Sequence, residues 1–280
     1  MRFILAKLLL LCVITVLLPG CETLKSLTSS ESTDDSESYS GWDAKKFHDQ
    51  ARAAMKSGNY SKAIKLYEAL EARYPFGPYA AQAQLDVAYA YFKNDNPESA
   101  IAAADRFIKL HPRNPHVDYA YYLKGLVNYN RSIGFLDRFL PTDRSQRDLS
   151  DAMKAYTNFA ELIRRFPNSQ YIGDAKQRMV ALRNNIARQQ IHIARFYMRR
   201  RAYIAAADRA NYVIENYQRT PAVPYAFLIL QKAYDKLQLA DLAADAKRVY
   251  EQNYPDGPQP LAQQNPTPIE RFWNFTGMDE

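Results

Sequence analysis

Apolar and polar positions along this chain recur with the period of a helix rather than that of a strand. Five stretches share one frame, in which a pivot alanine is followed at plus 4, plus 7 and plus 11 by mostly apolar or aromatic residues. These offsets fall on one stripe because about 3.6 residues make a helical turn. The frames are Ala63, Tyr67, Leu70, Tyr74; Ala100, Ala104, Phe107, His111; Ala155, Phe159, Leu162, Phe166; Ala206, Ala210, Val213, Tyr217; and Ala243, Lys247, Tyr250, Tyr254. Pro75, Pro112, Pro167 and Pro255 close four of them. A helix ends there, because proline lacks an N–H and pushes the residue before it out of helical geometry.

A second helical pattern lies ahead of each frame, over Ala44 to Lys56, Tyr79 to Lys93, Val117 to Arg131, Tyr171 to Arg200 and Tyr225 to Lys236. Two helices per unit, with small residues where they cross and aromatic residues at the joints, describe the tetratricopeptide repeat, whose unit is about 34 residues. The pivots are spaced 37, 55, 51 and 37 apart, so two intervals approximate the unit and two carry insertions. The first insertion reads as a loop at 132–148, with Gly134, Pro141 and the charged run Asp143 to Asp148. The second has neither proline nor glycine between Gly173 and Arg201, which predicts one helix of about 28 residues, near 40 Å. The expected fold is all-α, a tetratricopeptide-repeat superhelix of five helix pairs.

Composition agrees with this expectation. The 280 residues are 47% hydrophobic and include only nine glycines, which favours closely packed helices over hairpins. The net charge of +7 would suit nucleic acid, but acidic residues are interleaved with the basic ones and no nucleic-acid-binding motif occurs. A solvated helix surface accounts for the charge.

The N-terminus departs from the helical frame. Arg2 and Lys7 precede the apolar run Leu8 to Leu18, which at 11 residues is too short to span a bilayer and fits the core of a signal peptide. Leu18-Pro19-Gly20-Cys21 resembles the lipobox of bacterial lipoproteins, although Pro19 stands where Ala or Ser is commoner. By that resemblance residues 1–20 are removed and Cys21 is lipidated, which anchors the chain without a transmembrane helix. Glu22, in place of an inner-membrane-retaining Asp, permits export to the outer membrane. Residues 21–41 are rich in serine and acidic side chains, with little apolar surface to order them, and read as a flexible tether. At the other end, 256–280 is a proline-rich tail carrying Phe272, Trp273 and Phe275, which reads either as a cap on the repeats or as a docking segment.

No catalytic, metal or cofactor constellation stands out. His48, His111, His116 and His192 are scattered, and neither a phosphate loop nor a nucleophile elbow is present. The first helices instead offer polar stripes, as solenoid proteins do when they bind extended peptides. Gln82, Asp86, Tyr89 and Lys93, with Tyr79 at the helix start, form one stripe, and Lys124, Asn128 and Arg131 another. Each is either a peptide-binding face or the solvated side that every amphipathic helix has. Arg199, Arg200 and Arg201, with Arg195 and Arg209, either offset the dipole at the end of the long helix or form a patch for an acidic partner.

Arg73-Tyr74-Pro75-Phe76-Gly77-Pro78-Tyr79, Gln84-Leu85-Asp86, Tyr89-Ala90-Tyr91, Asp105-Arg106-Phe107-Ile108, the Asp143 to Asp148 run and Phe166 to Tyr171 together resemble the BamD family, lipoproteins of the bacterial outer-membrane β-barrel assembly machine. The resemblance covers about residues 42 to 255. It implies a non-enzymatic adaptor, lipid-anchored at the periplasmic face of the outer membrane. Front repeats at 42–131 would recognise C-terminal signals of unfolded outer-membrane proteins, through Tyr79, Gln82, Asp86, Tyr89, Lys93, Lys124, Asn128 and Arg131. Back repeats at 149–255 would hold the POTRA domains of the barrel subunit, through Arg199, Arg200, Arg201 and Arg209. Other lipoproteins of the machine are further expected partners. The alternative is a lipid-anchored repeat scaffold for cell-wall or pilus assembly.

Overall fold

The computed structural model describes residues 39–132 and 149–258. The signal peptide, Cys21, nearly all of the tether, the insertion and most of the tail lie outside the described residues. Among the described residues ten helices follow one another: α1 (Ala44–Lys56), α2 (Tyr60–Arg73), α3 (Ala80–Lys93), α4 (Pro97–Leu110), α5 (Val117–Ser132), α6 (Ser150–Arg165), α7 (Ile172–Arg199), α8 (Tyr203–Asn216), α9 (Val223–Lys236) and α10 (Ala240–Asn253). There is no strand among the described residues. The chain divides after Lys46 into two units. In the described part of the first, the Tyr39 and Trp42 rings meet edge-on at 5.0 Å and Lys46 lies 4.5 Å from the Trp42 ring centre.

The five predicted helix pairs are present, as a tetratricopeptide-repeat arrangement that belongs to the second unit apart from the first three residues of α1. The pivots Ala63, Ala100, Ala155 and Ala206 are fully buried and Ala243 nearly so, as close crossing of two helices requires. The plus-11 aromatics are not core residues but C-caps. Tyr74, His111, Phe166, Tyr217 and Tyr254 leave helical geometry, and each backbone N–H donates to the carbonyl of the plus-7 residue. Four of the five precede a proline, which disfavours the helical region for them.

The turn inside a repeat has its own repeated device. Gly58, Asp95, Arg201 and Gln238 each stand five residues before a pivot, and each has φ between +60° and +76°. A left-handed residue is what lets the first helix stop and reverse, and only one of the four is the glycine that takes this conformation without strain. In repeat three the residue five before the pivot is Ser150, the first residue of α6.

The long helix is confirmed at 28 residues, and the 14 residues by which its interval exceeds 37 equal the 14 by which α7 exceeds α3. The second insertion is therefore helix and nothing else. α7 packs on α5 and α6 and also on α8 and α9, and Ala187, Ile191 and Ala194 in its C-terminal half join the core formed by α8, α9 and α10. One rigid element thus belongs to both halves of the stack.

Helices α5 and α6 approach most tightly at Gly125. A Cβ there would stand 2.4 Å from Cε1 of the fully buried Phe159. Glycine mid-helix, normally unfavourable by about 1 kcal/mol, is here the condition for the contact.

Candidate functional site

First helices of successive repeats touch along the stack, α3 with α5, α5 with α7 and α7 with α9. Their shared face is the place to look for a binding surface. On α3 two residues of the predicted stripe, Gln82 and Asp86, contact each other. Gln82 Nε2 donates to Asp86 Oδ1 at 2.7 Å, and the Tyr67 hydroxyl of α2 donates to Asp86 Oδ2 at 3.2 Å. Burial pushes the Asp86 carboxyl above the ordinary carboxylate range, against the opposing effects of these two donors and of the charges of His48 and Arg52. Burial, then Asp86 itself, drives the Tyr67 phenol far up as well, so that it remains a donor. Tyr79, the residue capping the start of α3, stacks on His48 of α1 at 4.7 Å and 26°. Lys93 lies 5.7 Å from the Tyr60 ring centre, and Tyr89 sits beside Phe92 at 6.2 Å.

Repeat three differs from the sequence reading. Lys124 pairs with Asp105 of α4 at 2.6 Å, and Arg131 bridges Glu98 of α4 and Asp151 of α6 at 3.0 and 3.5 Å. Asn128 is 5% exposed and donates to Asn158 Oδ1 at 2.8 Å, which ties α5 to α6. These three side chains are engaged by α4 and α6, the second helices of repeats two and three, and Asn128 offers a peptide almost no surface. Helical periodicity marks a stripe but not which neighbour it meets.

The residues of α5 that continue the α3 face are Tyr119 and Tyr122, joined by Tyr171, which caps the start of α7, and by Asp174 and Arg178 of α7. Tyr122 and Tyr171 stack at 4.7 Å and 14°, and Tyr119 lies 5.4 Å from Tyr171. The Tyr122 hydroxyl donates to Asp174 Oδ2 at 2.6 Å, and Arg178 donates to both oxygens of the same carboxylate at 2.5 and 3.1 Å. Arg178 in turn lies 4.7 Å from the Tyr129 ring centre. Burial alone would raise Asp174, but the Arg178 and Tyr122 hydrogen bonds and the Arg178 charge hold it below the usual carboxylate range. Burial and the bond to Asp174 push Tyr122 up to about 12. Burial first, then Tyr89, Tyr171, Asp86 and Tyr122, raise Tyr119 further still, which places Tyr119 within electrostatic reach of the α3 stripe. The tyrosine-rich spacing of Val117 to Arg131 was the available clue, although Tyr121, between the two, points instead to Phe166 at 5.3 Å.

At the other end of α7 the structure separates the arginines. Arg199 is the last helical residue, Arg200 caps the helix with its guanidinium 5.4 Å from the Phe196 ring centre, and Arg201 is the left-handed turn residue. All three are exposed. Arg195 faces inward over Tyr225 at 5.3 Å. Arg209 of α8 donates to Gln190 Oε1 at 3.3 Å, and it lines an open cavity of about 280 Å³ with Tyr197, Ala205, Asp208 and Tyr212.

Against known proteins, the family model YfiO, described as outer membrane lipoprotein, matches residues 41–249. The outer membrane protein assembly factor BamD of Neisseria meningitidis serogroup B is 45% identical over 243 residues, 86% of this chain and 91% of that protein. The proteins of the same description from Xylella fastidiosa and Vibrio cholerae are each 37% identical, covering 87% and 74% of this chain and 80% and 86% of their own lengths. Among solved structures, the crystal structure of MamA protein aligns at a TM-score of 0.30 and 16% identity over 75% of this chain and 91% of that one, too distant to bear on the argument. A family match across nearly all the described helices, with relatives of this identity over most of their length, makes this chain a member of the BamD family of outer-membrane lipoproteins.

Proposed function

We propose that this chain is a lipid-anchored, non-enzymatic adaptor in the assembly of outer-membrane proteins, the role named for its relatives. Cys21, lipidated after removal of residues 1–20, would tether it to the periplasmic face of the outer membrane. The face shared by α3, α5 and α7 receives an extended C-terminal segment of an unfolded outer-membrane protein. Tyr79, Gln82, Asp86 and Tyr89 contribute from the front, with Lys93 at the edge, and Tyr119 and Tyr171, each packed on the buried Tyr122, extend the surface. The observation that carries this reading is the continuity of the face: aromatic rings alternate with hydrogen-bonding groups from Gln82 to Arg178 across three first helices.

That composition suits an extended peptide with aromatic side chains. The rings offer large contact area at low entropic cost, and polar groups between them take the peptide backbone. Asp174 is already held by Arg178 and Tyr122, so this cluster fixes the rings rather than adding net charge. Lys124 and Arg131, engaged by neighbouring acids, stiffen repeats two and three beside the face. The POTRA domains of the barrel subunit dock at the back repeats through Arg199, Arg200, Arg201 and Arg209, and other lipoproteins of the machine bind the same scaffold.

A photoreactive residue at Tyr89 or Tyr119, compared with one at the exposed Lys109 on α4, tests the face. With a synthetic C-terminal peptide of an outer-membrane β-barrel, crosslinks are expected at the first two positions and not at the third. Equal crosslinking at all three positions would refute the assignment.

A further inference from the structure

The six-residue joints that link one repeat to the next, 74–79, 111–116, 166–171 and 217–222, lie at one edge of the second unit, because each repeat is a pair of antiparallel helices. His111 Nε2 meets Gln84 Oε1 of α3 at 2.9 Å, and Ser169 donates to Asp118 Oδ2 at the start of α5 at 2.6 Å. Each joint thus sits beside the helix start that the previous joint introduces. Charge is unevenly sorted along this edge. The last turns of α4 and α6 and the joint after α4 bring Lys109, Arg113 and Arg164, all exposed and in no ion pair among the described residues. The acids of the same edge are engaged: Glu71 by Arg106 at 3.0 Å, Asp118 by Ser169, Glu161 by Arg165 at 2.9 Å and Asp174 by Arg178. Beyond repeat three the sign changes, with Glu215, Glu251 and Asp256 at the corresponding places against Arg219.

Two apolar side chains stand out from the same row. Phe76, in the first joint, is fully exposed, and Leu110, the last residue of α4, is 56% exposed. The turn that carries Phe76 is closed by the Gly77 N–H, which donates to the Tyr74 carbonyl at 3.1 Å, and the Ala80 N–H donates to the Gly77 carbonyl at 3.0 Å. Pro75 and Pro78 restrict the backbone further, so the ring is held outward at little further entropic cost on binding. A ring that touches nothing in its own chain is a projection and not the wall of a groove, and it gains only by entering a medium that closes round it. Lone cations spread over successive repeats match diffuse negative charge better than a single carboxylate. Anionic headgroups over acyl chains supply both. Phe47, where the chain enters the second unit, lies at this edge too, its ring 6.4 Å from that of Tyr74 and 5.5 Å from the Arg73 guanidinium. An anchor attached ahead of Phe47 is therefore attached nearest to this edge.

We infer that the joint edge of repeats one to three docks on an anionic phospholipid surface. Phe76 and Leu110 enter the interfacial region, and Lys109, Arg113 and Arg164 lie against headgroup phosphates. The contact goes beyond the lipid anchor proposed above: the anchor keeps the chain at the membrane, and this edge sets which end of the repeats faces it.

The test uses residues 21–280 with Cys21→Ser, so that no acyl chain contributes and failure of this contact is separate from failure of the anchor. Co-sedimentation with vesicles of phosphatidylglycerol and phosphatidylethanolamine is expected, several-fold stronger than with phosphatidylcholine and weakened by salt. Lys109→Glu/Arg113→Glu/Arg164→Glu should lower binding by about tenfold or more, and Phe76→Ser several-fold. Lys56→Glu/Lys232→Glu/Lys236→Glu makes an equal charge change on three lysines away from the joints and should leave binding at the parent level. All the substituted side chains apart from that of Cys21 are exposed, so the fold is retained. Absence of binding to the anionic vesicles, or equal loss in the two triple variants, would overturn the proposal. Full binding by Phe76→Ser would do so too, since a purely ionic contact suits an acidic protein as well as a membrane.

Discussion

Replacing Gly125 by alanine separates two opposed effects whose balance the structure fixes. Helix propensity alone predicts a gain of about 1 kcal/mol from Gly→Ala inside a helix. The geometry predicts the reverse, because the new methyl would stand 2.4, 2.5 and 2.9 Å from Cε1, Cδ1 and Cζ of Phe159. Carbon atoms rest at about 3.5–4.0 Å, so the ring must retreat by about 1 Å. Phe159 is fully buried and its ring centre lies 6.1 Å from that of Tyr122, which leaves little room for retreat. Overpacking of this kind costs about 1–3 kcal/mol and sometimes more. The net expectation, with so short a contact toward the upper end of that range, is a loss of up to about 2 kcal/mol, opposite in sign to the propensity argument. Gly173 of α7 is the control, with nothing within 4 Å of its would-be Cβ, and Gly173→Ala should be neutral or gain up to about 1 kcal/mol. Urea unfolding followed by circular dichroism gives the midpoints. Because repeat stacks can unfold piecewise, hydrogen exchange in α5 and α6 should report the same loss locally. Phe159→Leu in the Gly125→Ala background should recover part of the loss, with a coupling of at least about 1 kcal/mol between the two changes. A Gly125→Ala midpoint at or above wild type, or strict additivity in the double variant, would refute the reasoning.

Three further outcomes follow from particular residues. Asp86 has a folded-state pKa raised by burial, so its contribution to stability is full below the ordinary carboxylate value and is lost as pH rises through the raised one. Asp86→Asn should therefore gain stability relative to wild type as pH rises above the ordinary carboxylate value of about 4, and a difference that stays flat or reverses over that rise would contradict the burial argument. Gln238 occupies the left-handed turn position with φ of +60°; Gln238→Gly should raise stability by about 0.5–1 kcal/mol and Gly58→Ala, at φ of +76°, lower it by about as much, both read from urea midpoints. Arg209→Glu reverses the charge at the cavity between α7 and α8, and pull-down of the barrel subunit's soluble domains should fall several-fold; capture at wild-type strength would remove Arg209 from the partner face.

The amino-acid sequence by itself determined the repeat. Pivot alanines, the plus-4 and plus-7 stripe and the prolines after the plus-11 residues are local rules, each enforced within one or two turns of the chain, and helix boundaries followed them to within two residues. The length of α7 was legible for the same reason, since a proline- and glycine-free run has no place to stop. The assembly of the site was not legible. Lys124, Asn128 and Arg131 share a stripe as regular as that of Gln82, Asp86 and Tyr89, yet they meet Asp105, Asn158, Glu98 and Asp151. Which side of a helix meets which neighbour depends on how successive pairs are set against each other. That setting is decided at contacts far apart in sequence: Gly125 admitting Phe159, and Tyr122 reaching Asp174 across 52 residues. Periodicity could place Tyr119 and Tyr122 on a helix, and only the packing of α5 against α7 could place them beside Tyr171 and in line with Asp86.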